Sequence, residues 1–273
     1  HLTSNLCYKT YFLKKSNYLC VVAFFICIFT GLIMLSLKLI YEGIVEKVAV
    51  EFLSKLVKES PFKGKVYLAG GYVRDEILGL DPKDIDIVVE FPDGGIKFAE
   101  WVTKKLGVYR SGSNPVIYPK YGTAKFNMRG ISFKGYDLSN IDIECVMTRK
   151  ETYSADSRKP KVQQGTIQND ADRRDLTVNS LLKDLTTGEI LDLTGKGMSD
   201  IKNGLVRTPI HPDEIFKDDP LRMLRAIRFA VKYNWKLPFF MIKAMKDNAY
   251  RLKIISNERI RDELDKMLKT GSP

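Results

Sequence analysis

The chain has 273 residues, of which 44% are hydrophobic and 28% charged, ordinary globular values that exclude collagen-like, low-complexity and disordered architectures. Lys and Arg number 44 against 33 Asp and Glu, and the resulting +11 favours polyanionic partners: nucleic acid, nucleotides or an anionic membrane face. The two histidines, His1 and His211, are too few for zinc enzymes of the two-His type or for His-pair phosphohydrolase sites, and a serine triad would rest on His211 alone. Four cysteines (Cys7, Cys20, Cys27, Cys145) contain no Cys-x-x-Cys pair and read as reduced packing residues.

No charged residue occurs from Ser16 to Leu37, a stretch long enough for a membrane helix of about 20 residues. Lys9, Lys14 and Lys15 precede it and Lys38, Lys47 and Lys55 follow it, so the flanking charges choose no orientation. No small-x-small cleavage site follows. Residues 1–43 therefore read as an apolar N-terminal helix, either a membrane anchor through residues 16–37 or an extension foreign to the fold. Ile44 to Lys58 carries apolar residues near helical spacing and predicts a lead-in helix, punctuated by Pro61 and Gly64. A strand over Val66–Ala69, a turn at Gly70-Gly71, a helix over Tyr72–Leu78 and an alternating strand over Ile85–Val89 follow. Alternation predicts further strands at Ala124–Met128 and Ile141–Met147, and Leu176–Leu185 is compatible with a helix. From Pro220 the pattern is helical apart from a break at Trp235–Pro238. The pattern reads as an α/β head over roughly residues 60–207 followed by an all-helical portion.

Asp84-Ile85-Asp86 places two carboxylates on one strand face with Ile85 turned inward. Beside a glycine turn, such a pair suits Mg²⁺, which prefers to share its coordination with substrate phosphates. A solvated strand face is the ordinary reading of Asp-x-Asp alone. Asp142 and Glu144 sit on one face of another predicted strand, and either would supply a third carboxylate for a two-metal clamp. Gly70-Gly71 before a helix offers close backbone approach and free N–H groups to a triphosphate, with Arg74 adding a charge-assisted contact. Arg222, Arg225 and Arg228 recur every third residue, giving one broad basic stripe, and Asp219 before Pro220 fits a helix N-cap.

Val66 to Gly79, followed by Lys83-Asp84-Ile85-Asp86-Ile87-Val88, resembles the first motif of the class II (bacterial-type) CCA-adding tRNA nucleotidyltransferases and the related bacterial poly(A) polymerases. Arg173-Arg174-Asp175-Leu176-Thr177-Val178-Asn179-Ser180 is similar to a second motif of that family. Asp218 to Phe229 is similar to a third. The resemblance covers about residues 60 to 265 and implies an α+β fold: a polymerase-β-type nucleotidyltransferase head, a mixed sheet with helices over 44–207, followed by an all-helical neck, 208–273. It implies that Asp84 and Asp86 hold catalytic Mg²⁺ ions, with Glu144 as the third catalytic carboxylate and Asp142 as its competitor. It implies nucleotide contacts from Gly70, Gly71, Arg74, Arg173, Arg174, Asp175, Asn179, Asp219, Arg222, Arg225 and Arg228. Either arginine of the 173–174 pair could make the phosphate contact.

The implied substrates are CTP, ATP and the 3′ end of tRNA, and the implied compartment is the cytoplasm, with the chain free or membrane-anchored. The family's poly(A) polymerases carry a basic stretch followed by His between the first motif and the acid-bearing strand. No His occurs there in this chain, which favours CCA addition over poly(A) addition. A membrane-tethered, inactive RNA-binding fragment is the reading from another class. Asp219 and Arg222, three residues apart, also pair an acceptor-only with a donor-only group, which matches the amino donor and ring-nitrogen acceptor shared by cytosine and adenine.

Overall fold

Apolar alternation in segments between Val66 and Leu191 builds a seven-stranded mixed sheet, and the helical portion that begins at Pro212 packs onto Leu176, Val178 and Val206. The computed structural model describes residues 41, 43–107, 114–154 and 157–270. The apolar stretch 16–37 lies outside the described residues. Among those described, no helix is long and apolar enough to cross a membrane. The compact unit that carries the sheet begins at Val45.

The lead-in helix forms as expected (α1, residues 43–58), with Val45, Ala49, Leu53 and Val57 buried along one side. It is followed by β1 (Val66–Ala69), α2 (Gly71–Ile77), β2 (Ile85–Val89), α3 (Gly94–Leu106), β3 (Val116–Tyr118), β4 (Thr123–Asn127), the short pair β5 (Ser132–Phe133) and β6 (Tyr136–Asp137), and β7 (Asp142–Met147). A separate antiparallel hairpin, β8 (Arg149–Ser154) and β9 (Ser157–Gln164), precedes α4 (Ile167–Asp172), β10 (Leu182–Asp184), β11 (Ile190–Leu191) and α5 (Gly197–Asn203). The sheet order is β11-β10-β1-β2-β7-β4-β3. β2 and β7 run parallel and the other neighbours antiparallel.

The two sheet faces are sorted by residue parity. Ile85, Ile87, Val89, Ile143 and Cys145 enter the main core with α1 and α3, where Phe62, Phe98 and Trp101 pack edge and face. Gly95, in the first turn of α3, allows this packing: a Cβ there would lie 2.5 Å from the Cys145 carbonyl and 2.6 Å from that of Gly122. The opposite face carries Tyr67, Ala69, Val88 and Leu182. Asp86 and Glu144 share that second face because they alternate with Ile85, Ile87, Ile143 and Cys145. Cys145 is a free, buried thiol, pushed well above its usual pKa by burial and by the neighbouring Glu144 and Asp86 charges.

The expected helix over 176–185 is corrected. Thr177–Asn179 forms one 3₁₀ turn, after which β10 pairs with β1 through Tyr67↔Asp184, Leu68↔Lys183 and Ala69↔Leu182. Leu181 and Leu185 enter the main core whereas Leu182 enters the other face, so the run alternates. Apolar spacing over so short a run does not separate helix from strand, and the unpaired edge of β1 settles it.

The helical portion comprises α6 (Pro212–Asp218), α7 (Leu221–Tyr233), α8 (Phe239–Asn248) and α9 (Asn257–Leu268). Asp219 has an extended backbone and its Oδ1 accepts from the Leu221 N–H at 3.1 Å, so it caps α7 with Pro220 behind it. Ala226 and Phe229 of α7 pack onto Leu176, Val178 and Val206, joining the helices to the 3₁₀ turn. At the expected break, Lys236 bridges Leu205 and the Trp235 ring stacks on Tyr233 at 4.8 Å.

Candidate active site

Ile85 is 2% exposed, which fixes the strand parity and leaves Asp84 and Asp86 on the other side. The parallel register sets Asp86 directly beside Glu144. Asp86 is exposed at one end of a pocket of about 430 Å³, yet surrounding protein crowds its carboxyl. Desolvation, the Glu144 charge and the Asp84 charge push it up to about 6, against the opposing pull of Arg174. Asp142 is differently occupied. Lys125 Nζ pairs with it at 2.9 Å and the Asn127 amide donates to it at 3.0 Å, and both contacts hold its carboxyl below the usual range. Glu144, not Asp142, is therefore the acid that acts on Asp86.

Among the described residues no three His, Cys, Asp or Glu side chains converge into a complete metal cage. The neighbouring carboxylates of Asp86 and Glu144 still suit a divalent cation, because their charges repel one another without one and such an ion can share its coordination with substrate phosphates.

Next to this cluster the chain turns at Gly70, with φ 65° and ψ −124°, a conformation natural only to glycine. A Cβ there would lie 3.2 Å from Arg174 Nη1 and 4.0 Å from Asp86 Oδ2, so the bare backbone borders both the cation and the acid. Arg74, buried, donates Nη1 to Asn179 Oδ1 at 2.6 Å, pairs with Asp75 at 2.8 Å, and lies over the Phe229 and Tyr233 rings at 5.0 and 5.5 Å. One guanidinium thus ties α2 to the 3₁₀ turn and to α7.

The second motif is organised by Asp170, whose side chain is 0% exposed. Its Oδ1 accepts from Arg173 at 2.5 Å and its Oδ2 from Arg174 at 2.9 Å. Burial alone would raise this carboxyl, but the two guanidiniums lower it. Arg173 is further held by Glu151 of β8 at 3.2 Å, whereas Arg174 Nη1 faces the glycine turn and donates to the Asn179 carbonyl at 3.0 Å. Asp175 accepts from Arg225 Nε at 2.7 Å, from the Asn179 amide at 2.9 Å and from the Leu176 N–H at 2.8 Å. Burial opposes its ionisation, yet these partners and Arg222 hold it at about 2.

The pocket is lined by every nucleotide residue expected from the sequence except Arg228. That arginine turns instead to Glu263 Oε2 of α9, at 2.6 Å. The stripe along α7 is accordingly not a solvated face: each of its three arginines has a carboxylate partner, Glu151 for Arg222 at 4.0 Å, Asp175 for Arg225 and Glu263 for Arg228.

Residues 66–207 match the family of poly(A) polymerase head domains, and residues 241–273 match a probable RNA- and SrmB-binding site of polymerase A. The chain belongs to the poly(A) polymerase head-domain family. A Schizosaccharomyces pombe protein named tRNA nucleotidyltransferase cca2 is 35% identical over 240 residues, covering 82% of this chain and 49% of that protein. A solved structure of a CCA-adding enzyme in an apo form superposes with a TM-score of 0.67 at 30% identity, covering 83% of this chain and 51% of that one. The Thermotoga maritima CCA-adding enzyme complexed with tRNA gives 0.60 at 29% identity, over 75% of this chain and 43% of that one. The chain spans about half the length of the relatives it matches. The shared fold is the polymerase-β-like head, a mixed sheet with helices, continued by a helical C-terminal region. Phe229, at the end of the third motif, and Arg259, outside every motif, also line the pocket, while Asp170 and Glu151 hold its arginines from outside it; none of the four was singled out in the sequence. The Asp170–Arg173/Arg174 spacing of three and four is a legible helix-pair signal. Glu151 and Arg259 reach the site from distant elements and carry none.

Proposed function

We propose that the protein is a template-independent nucleotidyltransferase that adds C and A to tRNA 3′ ends from CTP and ATP. Residues 44–207 act as its head and 208–273 as its neck. The observation that carries this reading is the adjacency of Asp86 and Glu144 to a glycine turn and an arginine-lined pocket. An acid cluster for a cation beside a basic pocket for a triphosphate is the arrangement that nucleotidyl transfer needs.

Asp84 and Asp86, with Glu144 beside them, would hold Mg²⁺. When bound, the metal lowers the pKa of an attacking hydroxyl and offsets charge on the leaving oxygens. Gly70, Gly71 and Arg74 border the α2 side of the nucleotide, and Arg174, fixed by Asp170, offers its guanidinium to the phosphates. Arg173, shared between Asp170 and Glu151, is a weaker candidate for that contact. Asp175 and Asn179 hold Arg225 and Arg74 in place. Asp219 and Arg222 present one acceptor and one donor to the base edge, which suits cytosine and adenine and opposes uracil and guanine. Arg228 acts from behind, on α9.

The names of the relatives favour CCA addition over poly(A) addition. The substrates place the work in an aqueous compartment, the cytoplasm in our reading, and the chain need not touch a membrane for it. The test is incubation of the full chain with tRNA lacking its 3′ end and each labelled NTP in turn. Incorporation of C and A, but not U or G, is expected. Long A tails on unrelated RNA would identify a poly(A) polymerase, and no incorporation would identify an inactive RNA-binding fragment.

A further inference from the structure

Six arginines line the pocket: Arg74, Arg173, Arg174, Arg222, Arg225 and Arg259. Five of them lie within 4.0 Å of a carboxylate, namely Asp75 for Arg74, Asp170 for Arg173 and Arg174, Glu151 for Arg222 and Asp175 for Arg225. Arg259 differs in that, among the described residues, no carboxylate pairs with it, and its Nη1 is a buried atom without a hydrogen-bond partner. A buried guanidinium N–H left unpaired is costly, so its persistence at the wall of a binding pocket points to a ligand oxygen.

Arg259 comes from the first turn of α9, inside the segment similar to an RNA-binding module rather than the head. Its placement has a visible cause. Glu263, one helical turn further on, shares the same face of α9 and is buried at 4% exposure. Arg228 of α7 grips it at 2.6 Å. The clamp seats α9 on α7 with Arg259 facing the pocket, which also accounts for Arg228 being outside it.

We infer that Arg259 is a further nucleotide-binding residue, donating to the phosphate oxygens of the incoming nucleoside triphosphate. The choice of phosphate over base follows from charge. A base edge is neutral and is best met by a matched donor and acceptor, as Asp219 and Arg222 provide. A triphosphate carries several negative charges, and Arg259 is the pocket arginine whose charge no carboxylate already offsets. Guanidinium forks suit such oxyanions. The assignment rests on the nucleotidyltransferase reading and extends the nucleotide site onto α9.

Binding of CTP, ATP and tripolyphosphate to the full chain, measured by calorimetry without RNA, tests this independently of turnover. Arg259→Ala should weaken all three by about tenfold or more, the usual scale of a lost charge-assisted hydrogen bond, while cytidine binding is unchanged. Arg259→Lys keeps the charge but not the fork and should recover part of the loss. It also decides the matter if the Ala variant does not fold. In steady state the KM for CTP and for ATP should rise equally, with the CTP to UTP ratio unaltered. Unchanged triphosphate binding in a folded variant overturns the assignment, as does a rise confined to the KM for RNA. A wild-type chain that binds CTP but extends no RNA would refute the proposed activity and leave the arginine's role standing. A wild-type chain that binds no triphosphate refutes both.

Discussion

At the sheet end of the pocket, Asp84, Asp86 and Glu144 crowd carboxylates onto one face, and Asp86 is pushed up to about 6 by burial and by its acidic neighbours. At the helical end the carboxylates of Asp170 and Asp175 are buried more deeply than that of Asp86, yet both are pulled down, because guanidiniums and amides meet their oxygens. The same side-chain type thus appears in two opposite electrostatic states within one pocket. Unmatched acids repel one another at a standing cost to the fold, which a cation bound in the proposed site would relieve, whereas matched acids fix arginines in position. In the proposed function the first arrangement serves binding and the second rigidity.

Substitution at the sheet end gives the largest expected effect on activity. Asp86→Ala should lower incorporation by orders of magnitude. Because it removes one of several mutually repelling charges, the melting temperature should hold or rise. Calorimetry alongside a turnover assay checks both. A marked fall in melting temperature would mean that Asp86 is part of the structural network after all.

The helical end should behave in the reverse way. Asp170→Ala leaves two partly buried guanidiniums without their shared, fully buried carboxylate and should cost about 3 kcal/mol in denaturant unfolding. Acid sharpens the contrast. Asp175 sits at about 2 in the folded protein, below its ordinary unfolded value near 3.9, so its contribution is present above that value and is lost as pH falls from about 4 to 2. A melting temperature that declines through this window, with a shallower decline in Asp175→Asn, is the expected result. An unchanged acid limb in that variant would show that Asp175 is not held low.

Base selection should shift by less. Asp219 both faces the pocket and caps α7, so Asp219→Ala would confound selection with loss of the cap. Asp219→Asn is the cleaner change, since asparagine also caps helices but adds an amide donor where the carboxylate only accepts. The ratio of CTP to UTP incorporation on one tRNA should fall by about tenfold, and Arg222→Ala should act likewise. An unchanged ratio in both variants refutes a role in choosing the base.

Much of this was legible in sequence because the motifs are local. Val66–Ala69, Gly70-Gly71 and Ile85–Val89 follow from short-range alternation and glycine placement, and the structure bears them out. The misread stretch, Leu176–Leu185, is one where the partner decides: β10 exists because β1 offers it a ladder more than a hundred residues earlier in the chain. The same applies to the arginines. Spacing along α7 shows that Arg222, Arg225 and Arg228 share a side, but not that Arg228 faces α9 while Arg225 faces Asp175. Glu151, on a hairpin the sequence did not announce, and Arg259, on the last helix, are site residues only through tertiary packing.

The junction of the two regimes is Gly70, and it supplies the smallest and most local test. With φ at 65° and ψ at −124°, any side chain there costs roughly 1–3 kcal/mol, because only glycine adopts this backbone conformation readily. In Gly70→Ala the new Cβ would also lie 3.2 Å from Arg174 Nη1, closer than ordinary contact. A flexible arginine would move aside at little cost, but this one is gripped by Asp170 through Nε at 3.2 Å and Nη2 at 2.9 Å. The strain therefore passes into the arginine network, and Gly70→Ala should lose both stability and triphosphate affinity. Gly71→Ala is the matched comparison. Its Cβ would meet Arg74 Nη2 at 3.6 Å, an ordinary contact, on a backbone that opens α2 without a positive φ. It should leave the unfolding free energy within about 0.5 kcal/mol of wild type, as surface-like substitutions do. Equal destabilisation by the two alanines would show that neither the positive φ at Gly70 nor the fixed arginine beside it sets the cost.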